Sequence, residues 1–359
     1  MNKKALAVAI AGAVAIPVTA QAVSFKVSGH INRAIRWIDD GQGSTIQHVD
    51  NSASRSRVRF VGSEKFGSMT AGVNLEIGFS SNRTSLLGGK DAADGGDSFD
   101  TGDDIRHSAL WFSGNWGKVN LGHTSDSYDG VQFVDKSGTG LINNPFQNSV
   151  FGVSTKISGT TGTTGPTVGA VFTSLDGGRL DVIRYDSPKF GPVSASVAHG
   201  NNDHWSGNIA VDTSFAGHTF AAKIGARTHE GRDSDTRIGG SASILFSQGT
   251  SLTFSAGIRD FNTSGRDDAE MYFIKLGHKW GNNAVSISYQ YNEGNAIANT
   301  ATTGGDEGDA FTIGWQHSIP KIGAEILAQY NHYEVDHPTA GTSIEDVDAL
   351  MVGTRIKFN

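Results

Sequence analysis

The chain of 359 residues carries 29 Lys and Arg against 36 Asp and Glu, a formal net charge of −7, with 37% hydrophobic residues, 47 glycines and no cysteine. The lack of cysteine excludes a disulfide scaffold, a thiolate metal site and a thiol nucleophile. The composition is too polar for a helical membrane protein, and past residue 22 no run of 18 apolar residues offers a spanning helix.

Residues 1–22 read as a cleaved targeting segment, with Lys3 and Lys4 ahead of the apolar run ALAVAIAGAVAIPVTA and a small-x-small end at Ala20-Gln21-Ala22. A transmembrane anchor is the competing reading, and the short run with Gly12 and Pro17 argues against it. Residues 23–359 show no charged or Pro-rich linker and no break in composition, so one domain is expected. Within it, apolar and polar residues alternate at period two, the mark of strands with two unlike faces. Segment 24–38 puts His30 and Arg36 on one face; Val73, Leu75, Ile77 and Phe79 oppose Gly72, Asn74, Glu76 and Gly78. Segment 180–188 carries Arg184 on its polar face. Leu252, Phe254, Ala256 and Ile258 oppose Thr253, Ser255, Gly257 and Arg259, and Val285, Ile287, Tyr289 and Tyr291 alternate with Ser286, Ser288, Gln290 and Asn292. Ile322 to Tyr330 and Leu350 to Phe358 continue the pattern.

Each segment runs about ten residues, the length of a tilted strand through a bilayer. Tight turns at Phe66-Gly67-Ser68, Trp116-Gly117, Phe190-Gly191-Pro192, Phe215-Ala216-Gly217, Gln248-Gly249, Gly281-Asn282-Asn283 and Pro320-Lys321 alternate with long polar stretches such as 81–103, 124–178, 293–306 and 335–345. Counting between them predicts about sixteen strands, an even number, with short turns on one side and long loops on the other: an all-β, antiparallel transmembrane barrel. A soluble sandwich alternates too. The aromatics at strand ends (Phe66, Trp116, Phe190, Phe215, Phe246, Trp280 and Phe358) and the regular short–long rhythm favour the membrane reading.

Four stretches carry a resemblance: SGHINRAIRWIDDG (28–41), RSRVRFVGSEKFGSMTAGVNLEIGF (55–79), LWFSGNWGKVNLGHTSDSYDGV (110–131) and DVIRYDSPKFG (181–191). They resemble the Gram-negative general porins, and the similarity covers essentially the whole mature chain. The resemblance implies a homotrimer of sixteen-stranded barrels in the outer membrane, giving passive diffusion of ions and small hydrophilic solutes. It implies no cofactor, no nucleic-acid partner and no enzymatic activity. Contacts with lipopolysaccharide and insertion by the barrel-assembly machinery are expected with it. Such chains usually end on an aromatic residue, whereas here Asn359 follows Phe358; Phe358 keeps the outward parity of its strand.

In that setting RSRVRF, residues 55–60, turns Val58 and Phe60 to lipid and Arg55, Arg57 and Arg59 to the lumen. The reverse assignment costs about 2–4 kcal/mol for each lipid-facing arginine near midplane, up to roughly 6–12 kcal/mol for three, comparable to the net stability of a domain. Arg36 and Arg184 extend this basic wall, while Arg33 falls on the outward parity without an account. By the resemblance, segment 124–178 is the third loop, folded into the lumen to narrow the pore. Its Asp126, Asp129 and Asp135, with Tyr128 and Phe133 between them, would face the arginines and set up a transverse field. The plainer alternative is that these aspartates solvate an exposed loop. The acid excess at the mouth predicts mild cation selectivity, opposed by the wall.

Loop 81–103 reads as a solvated acidic surface loop, with Asp94, Asp97 and Asp100 as weak candidates for a divalent cation bridging to lipopolysaccharide or a neighbouring subunit; its spacing lacks the EF-hand order. Asp306, Glu307 and Asp309 read as rim residues. No HExxH, GxSxG or nucleotide-binding loop occurs, and His123 near Asp126, or His332 and His337 near Asp336, make no catalytic set beyond chance proximity. Two other functional classes stay open: a surface receptor or adhesin using the long loops, and a soluble exported carbohydrate-binding β protein.

Overall fold

The alternating segments pair in sequence order into a closed antiparallel barrel. The computed structural model describes residues 25–90, 97–98, 105–146, 149–229, 235–262, 267–294, 306–336 and 343–359. Its strands are β1 (Phe25–Asp39), β2 in two pieces (Ser44–Asp50 and Arg57–Phe66), β3 (Met69–Gly78), β4 (Ile105–Gly114), β5 (Gly117–Ser125), β6 (Arg179–Asp186), β7 (Val193–Gly200) and β8 (Trp205–Phe215). The second half comprises β9 (His218–His229), β10 (Asp235–Leu245), β11 (Thr250–Asp260), β12 (Ala269–Trp280), β13 (Asn283–Glu293), β14 (Glu307–Ile319), β15 (Ala324–Asp336) and β16 (Val347–Phe358). β16 pairs with β1 from Gly29↔Phe358 to Asp39↔Asp348, so the sheet closes on itself. Gly29 makes this seam possible, because a Cβ there would lie 2.6 Å from the Phe358 ring.

At one end the connections span two to six residues. Ala216 and Gly217 both take positive φ (48° and 80°), the twist that a two-residue hairpin needs to follow its strands. At the other end lie the long loops. Outward parity carries the apolar set: Ile224, Ile238, Phe254 and Ile274, on the consecutive strands β9 to β12, are each more than half exposed. So large an apolar surface needs lipid to cover it.

The sequence reading needs amendment in the second strand. RSRVRF is not one continuous strand. The two pieces of β2 pair separately with the upper and lower halves of β1. Between them Asn51 caps a single 3-10 turn, Ser52–Ser54, its side chain accepting from Ala53 N at 3.0 Å. Arg55 and Ser56 lie in the break. Asn82–Thr84 fills the freed edge, with Asp50 N donating to Asn82 O at 3.2 Å and Thr84 N to Asp50 O at 3.1 Å. That arrangement also accounts for Arg33, whose outward guanidinium donates to Ser81 Oγ at 2.8 Å and lies 3.8 Å from Asp50.

Loop 81–103 is likewise not simply a solvated surface loop. Its described part turns into the lumen, where Leu87 is buried with Ala34, Val49 and Met351. Asp94 and Asp100 lie outside the described residues, as do the side chain of Asp97, His337 and residues 1–22.

The long connection 126–178 circles the inside of the barrel. Asp126 N donates to Gly178 O at 2.9 Å and closes its neck. From there the loop crosses successive strands along hydroxyl groups: Ser127 N to Ser206 Oγ (3.0 Å), Val134 N to Ser241 Oγ (3.0 Å), Lys136 N to Ser243 Oγ (2.9 Å), Thr139 Oγ1 to Ser286 Oγ (2.7 Å) and Gln329 Nε2 to Ser149 Oγ (2.6 Å). Inward glycines let it approach the backbone; a Cβ on Gly277 would lie 2.7 Å from Ser137 Cβ, and one on Gly308 2.5 Å from the Phe172 ring. Val150, Val153, Val168, Val171 and Phe172 then bury themselves against Ile38, Tyr333, Val335 and Val347. Each such side chain contributes about 1.5–3 kcal/mol of apolar burial. The loop's own hairpin, Ser154–Lys156 with Thr164–Thr167, pairs onward with the last external loop through Glu345 N to Lys156 O at 2.8 Å.

A wall so closely matched to its loop tolerates little added volume. Gly277→Ala is expected to cost about 1–3 kcal/mol in urea unfolding of the barrel, because Ser137 must leave the wall. Gly207→Ala, where an added Cβ meets its nearest neighbour at 3.4 Å, is the control and should leave the midpoint unchanged.

Candidate functional site

Because the loop lines the wall from β8 round to β1, the open sector is the one in front of β2–β4 and the start of β6. A cavity of about 550 Å³ remains there, with Arg55, Arg57, Arg83, Arg106 and Arg179 on the barrel side and Asp129, Phe133, Asn144 and Phe146 on the loop side. Phe146 stands between Phe133 and Phe151 in edge-on contacts, centroids 6.3 and 4.6 Å away, forming a stiff apolar ridge opposite the guanidinium groups.

What offsets the repulsion among these arginines is Glu76, on the adjacent strand. Its fully buried carboxylate receives Arg57 Nη1 at 3.0 Å, Arg106 Nε at 2.7 Å and Arg59 Nε at 2.5 Å. Three guanidinium groups share one carboxylate, so the group is held rigidly and keeps a positive excess. Arg55 is buried in the strand break, its Nε donating to Ser80 Oγ at 3.2 Å.

The remaining residues singled out from sequence sit elsewhere. Arg36 is on the inward face, yet it is fully buried beneath the loops and donates to Ser149 O at 2.8 Å, Leu87 O at 3.0 Å and Gln47 Oε1 at 3.0 Å. It fastens two loops to β1 and meets no pore water. Arg184 pairs with Asp186 at 2.7 Å and donates to Ser125 O and Asp126 O at 3.2 Å, below the neck of the loop and outside the throat cavity. Asp126 is buried as well; it accepts from Tyr128 N and Asp129 N at 2.9 and 2.7 Å and from His204 Nε2 at 3.0 Å. Asp135 is bound to the buried Lys275 at 2.8 Å. Burial works against its charge, but Lys275 and the Ser137 N–H hold it below the usual carboxylate range. Of the three loop acids only Asp129 faces the arginines. The physical reason is the same for Asp126 and Asp135: a loop pressed against a wall uses its acids to satisfy backbone N–H groups and buried cations.

Glu76, Arg83, Arg106 and Arg179 were missed. Glu76 was within reach, since counting back equally from the Gly67-Ser68 turn sets it opposite Arg59. Arg106 stands at a register shift between β3 and β4, where parity fails. Arg179 follows two glycines at the first position of β6, on the nominal parity of the outward Ile183, and bends inward there.

One further acid belongs to the throat's edge. Asp176, buried at the neck beside Asp129, accepts from Gly130 N at 2.7 Å and Val131 N at 3.0 Å. Burial, reinforced by Asp129, pushes it up to about 7. It therefore gains its charge as the pH rises through neutrality, and the added negative charge opposes the arginines. Reversal potentials in a salt gradient should shift toward cations between pH 6 and pH 8, and Asp176→Asn should flatten that difference. Glu76→Gln is expected to shift selectivity toward anions while lowering stability by about 3 kcal/mol, because three guanidinium groups lose the buried carboxylate they share.

Three solved structures share this architecture. The anion-selective porin from Comamonas acidovorans superposes with a TM-score of 0.63 at 18% identity over 94% of this chain and 100% of its own. A loop L8 deletion mutant of OmpT, an outer membrane protein of Vibrio cholerae, gives 0.60 at 13% identity, covering 94% and 100%. A mutant of the Rh. blastica porin gives 0.53 at 15% identity, covering 93% and 100%. No curated protein matches the chain. The family model for Gram-negative porins, however, spans residues 5–338. With the closed barrel and its off-centre aqueous throat, that match makes the chain a member of the Gram-negative porin family, a multi-pass channel of the outer membrane through which solutes diffuse passively.

Proposed function

We propose that this porin is a homotrimeric, non-enzymatic channel whose throat favours anions, small organic anions in particular. The observation that carries the reading is the lining itself: Arg57, Arg106 and Arg179 face Asp129, Phe133 and Phe146 across one narrow cavity. Guanidinium groups attract a carboxylate or phosphate, and the phenyl ridge accepts an apolar skeleton on the opposite side. Asp126 and Asp135, expected to face the arginines across the constriction, are spent inside the loop's own anchoring and contribute little field to the opening. A similar barrel described as anion-selective supports the same sense of selectivity.

Residues 1–22 would be removed on export. The outward Phe358 offers the barrel-assembly machinery its aromatic signal, and the external rim would meet lipopolysaccharide. Planar-bilayer recording of the purified protein should show conductance steps in groups of three. In a chloride gradient the reversal potential should report anion preference. Arg57→Ala should lower the anion-to-cation permeability ratio about two- to fivefold, the scale of one charge a few ångströms from the ion path; Asp129→Asn should raise it. Unchanged selectivity in both variants would remove the throat from the mechanism.

A further inference from the structure

We infer that the outer surface of the barrel carries a divalent transition-metal site built on His332, Glu334 and Asp346. His332 and Glu334 are outward residues two apart on β15, and Asp346 precedes β16, the neighbouring strand. Their candidate ligand atoms all lie within 4.8 Å of one another. The imidazole is already oriented. Its Nδ1 is 2.9 Å from Asp348 Oδ1, and that carboxylate also accepts the Tyr330 hydroxyl at 2.6 Å. A carboxylate held in this way takes the Nδ1–H and sets the tautomer, the arrangement that backs metal-bound histidines.

Nε2 then points at carboxylate oxygen, 3.2 Å from Glu334 Oε1. A neutral imidazole presents a lone pair there, against the lone pairs of a carboxylate. The contact requires a positive charge between the two atoms, either a second proton or a metal ion. The 3.2 Å spacing is that of an ordinary N–H···O contact and equally accommodates a metal, since tetrahedral coordination at the usual Zn–N and Zn–O lengths separates two ligands by about 3.3 Å. The surroundings add demand for a cation. Asp309 on β14 pairs directly opposite Glu334, Glu345 adjoins Asp346, and the ion-pair partner of both Glu334 and Asp348 is His332 itself. Imidazole with two carboxylates selects ions of the Zn²⁺ class over Ca²⁺ or Mg²⁺, which take oxygen ligands alone. The site is independent of the pore, standing on the outside of the barrel beyond Tyr330.

The test is calorimetric titration of the full mature protein in detergent with Zn²⁺ alone, read beside the nitrogen coupling in the electron paramagnetic resonance of added Cu²⁺. One Zn²⁺ per chain is expected. His332→Ala and Asp346→Asn should each weaken it at least tenfold, Asp348→Asn, which removes the orienting acceptor, less, and His332→Ala should abolish the nitrogen coupling. Single-channel conductance of the variants should equal that of the wild type, which shows that they fold. Equal Zn²⁺ uptake by wild type and His332→Ala, or a His332 that titrates as a plain imidazolium unaffected by Zn²⁺, would overturn the assignment.

Discussion

Everything in this molecule depends on the requirement that no backbone N–H or C=O meet hydrocarbon unpaired. In lipid each unpaired group costs several kcal/mol, so the sheet has to close, and the pairing of β16 with β1 along Gly29–Asp39 supplies the closure. Once the cylinder is closed, side-chain parity has only one workable assignment. The apolar set on β9 to β12 faces the acyl chains, and hydroxyls, glycines and charges face inward. The break in β2 is the exception that confirms the pressure, because the edge freed at Asp50 is taken up at once by Asn82–Thr84.

Closure creates a lumen too wide to be selective, and the second constraint is how to fill it. The long loop does so as part of the solid wall. It lies on a track of inward serine and glycine, ends in an apolar cluster around Phe172 and Tyr333, and uses Asp126, Asp135 and Asp176 to satisfy its own bends and a buried lysine. A loop with these attachments is a fixed part of the barrel interior. Its consequence is an off-centre opening, bounded on one side by what the loop leaves uncovered, the arginines of β2, β4 and β6.

Those arginines could not be brought so close without Glu76. One buried carboxylate held by three guanidinium groups is costly to desolvate, yet each member has its partner within hydrogen-bonding distance. The same solution recurs at Asp235 on β10, where Arg237 and Arg259 approach to 2.8 and 2.7 Å and Arg227 to 3.8 Å. In both places a single acid steadies a group of arginines that remains net positive toward the water.

The barrel was legible in the sequence because strand parity is local: Val73 to Phe79 or Leu252 to Ile258 declare their two faces within seven residues, and Phe215-Ala216-Gly217 declares its turn. Strand number, lumen-facing Arg57 and Arg59, and the inward course of segment 124–178 followed from parity, loop rhythm and the resemblance. The residue-level site did not. Whether Asp126, Asp129 or Asp135 faces water depends on how the loop lies against strands 70 to 150 residues away, and no local pattern records that. Arg36 and Arg184 have the right parity, but only the packed loop decides that the first is buried and the second lies below the throat. Arg106 escaped because a register shift breaks the parity that the reading relied on. Local alternation therefore determined the barrel and which side chains point inward; the tertiary path of one loop decided which of them meet the solute, since contact across the lumen is set by packing between segments distant in the chain.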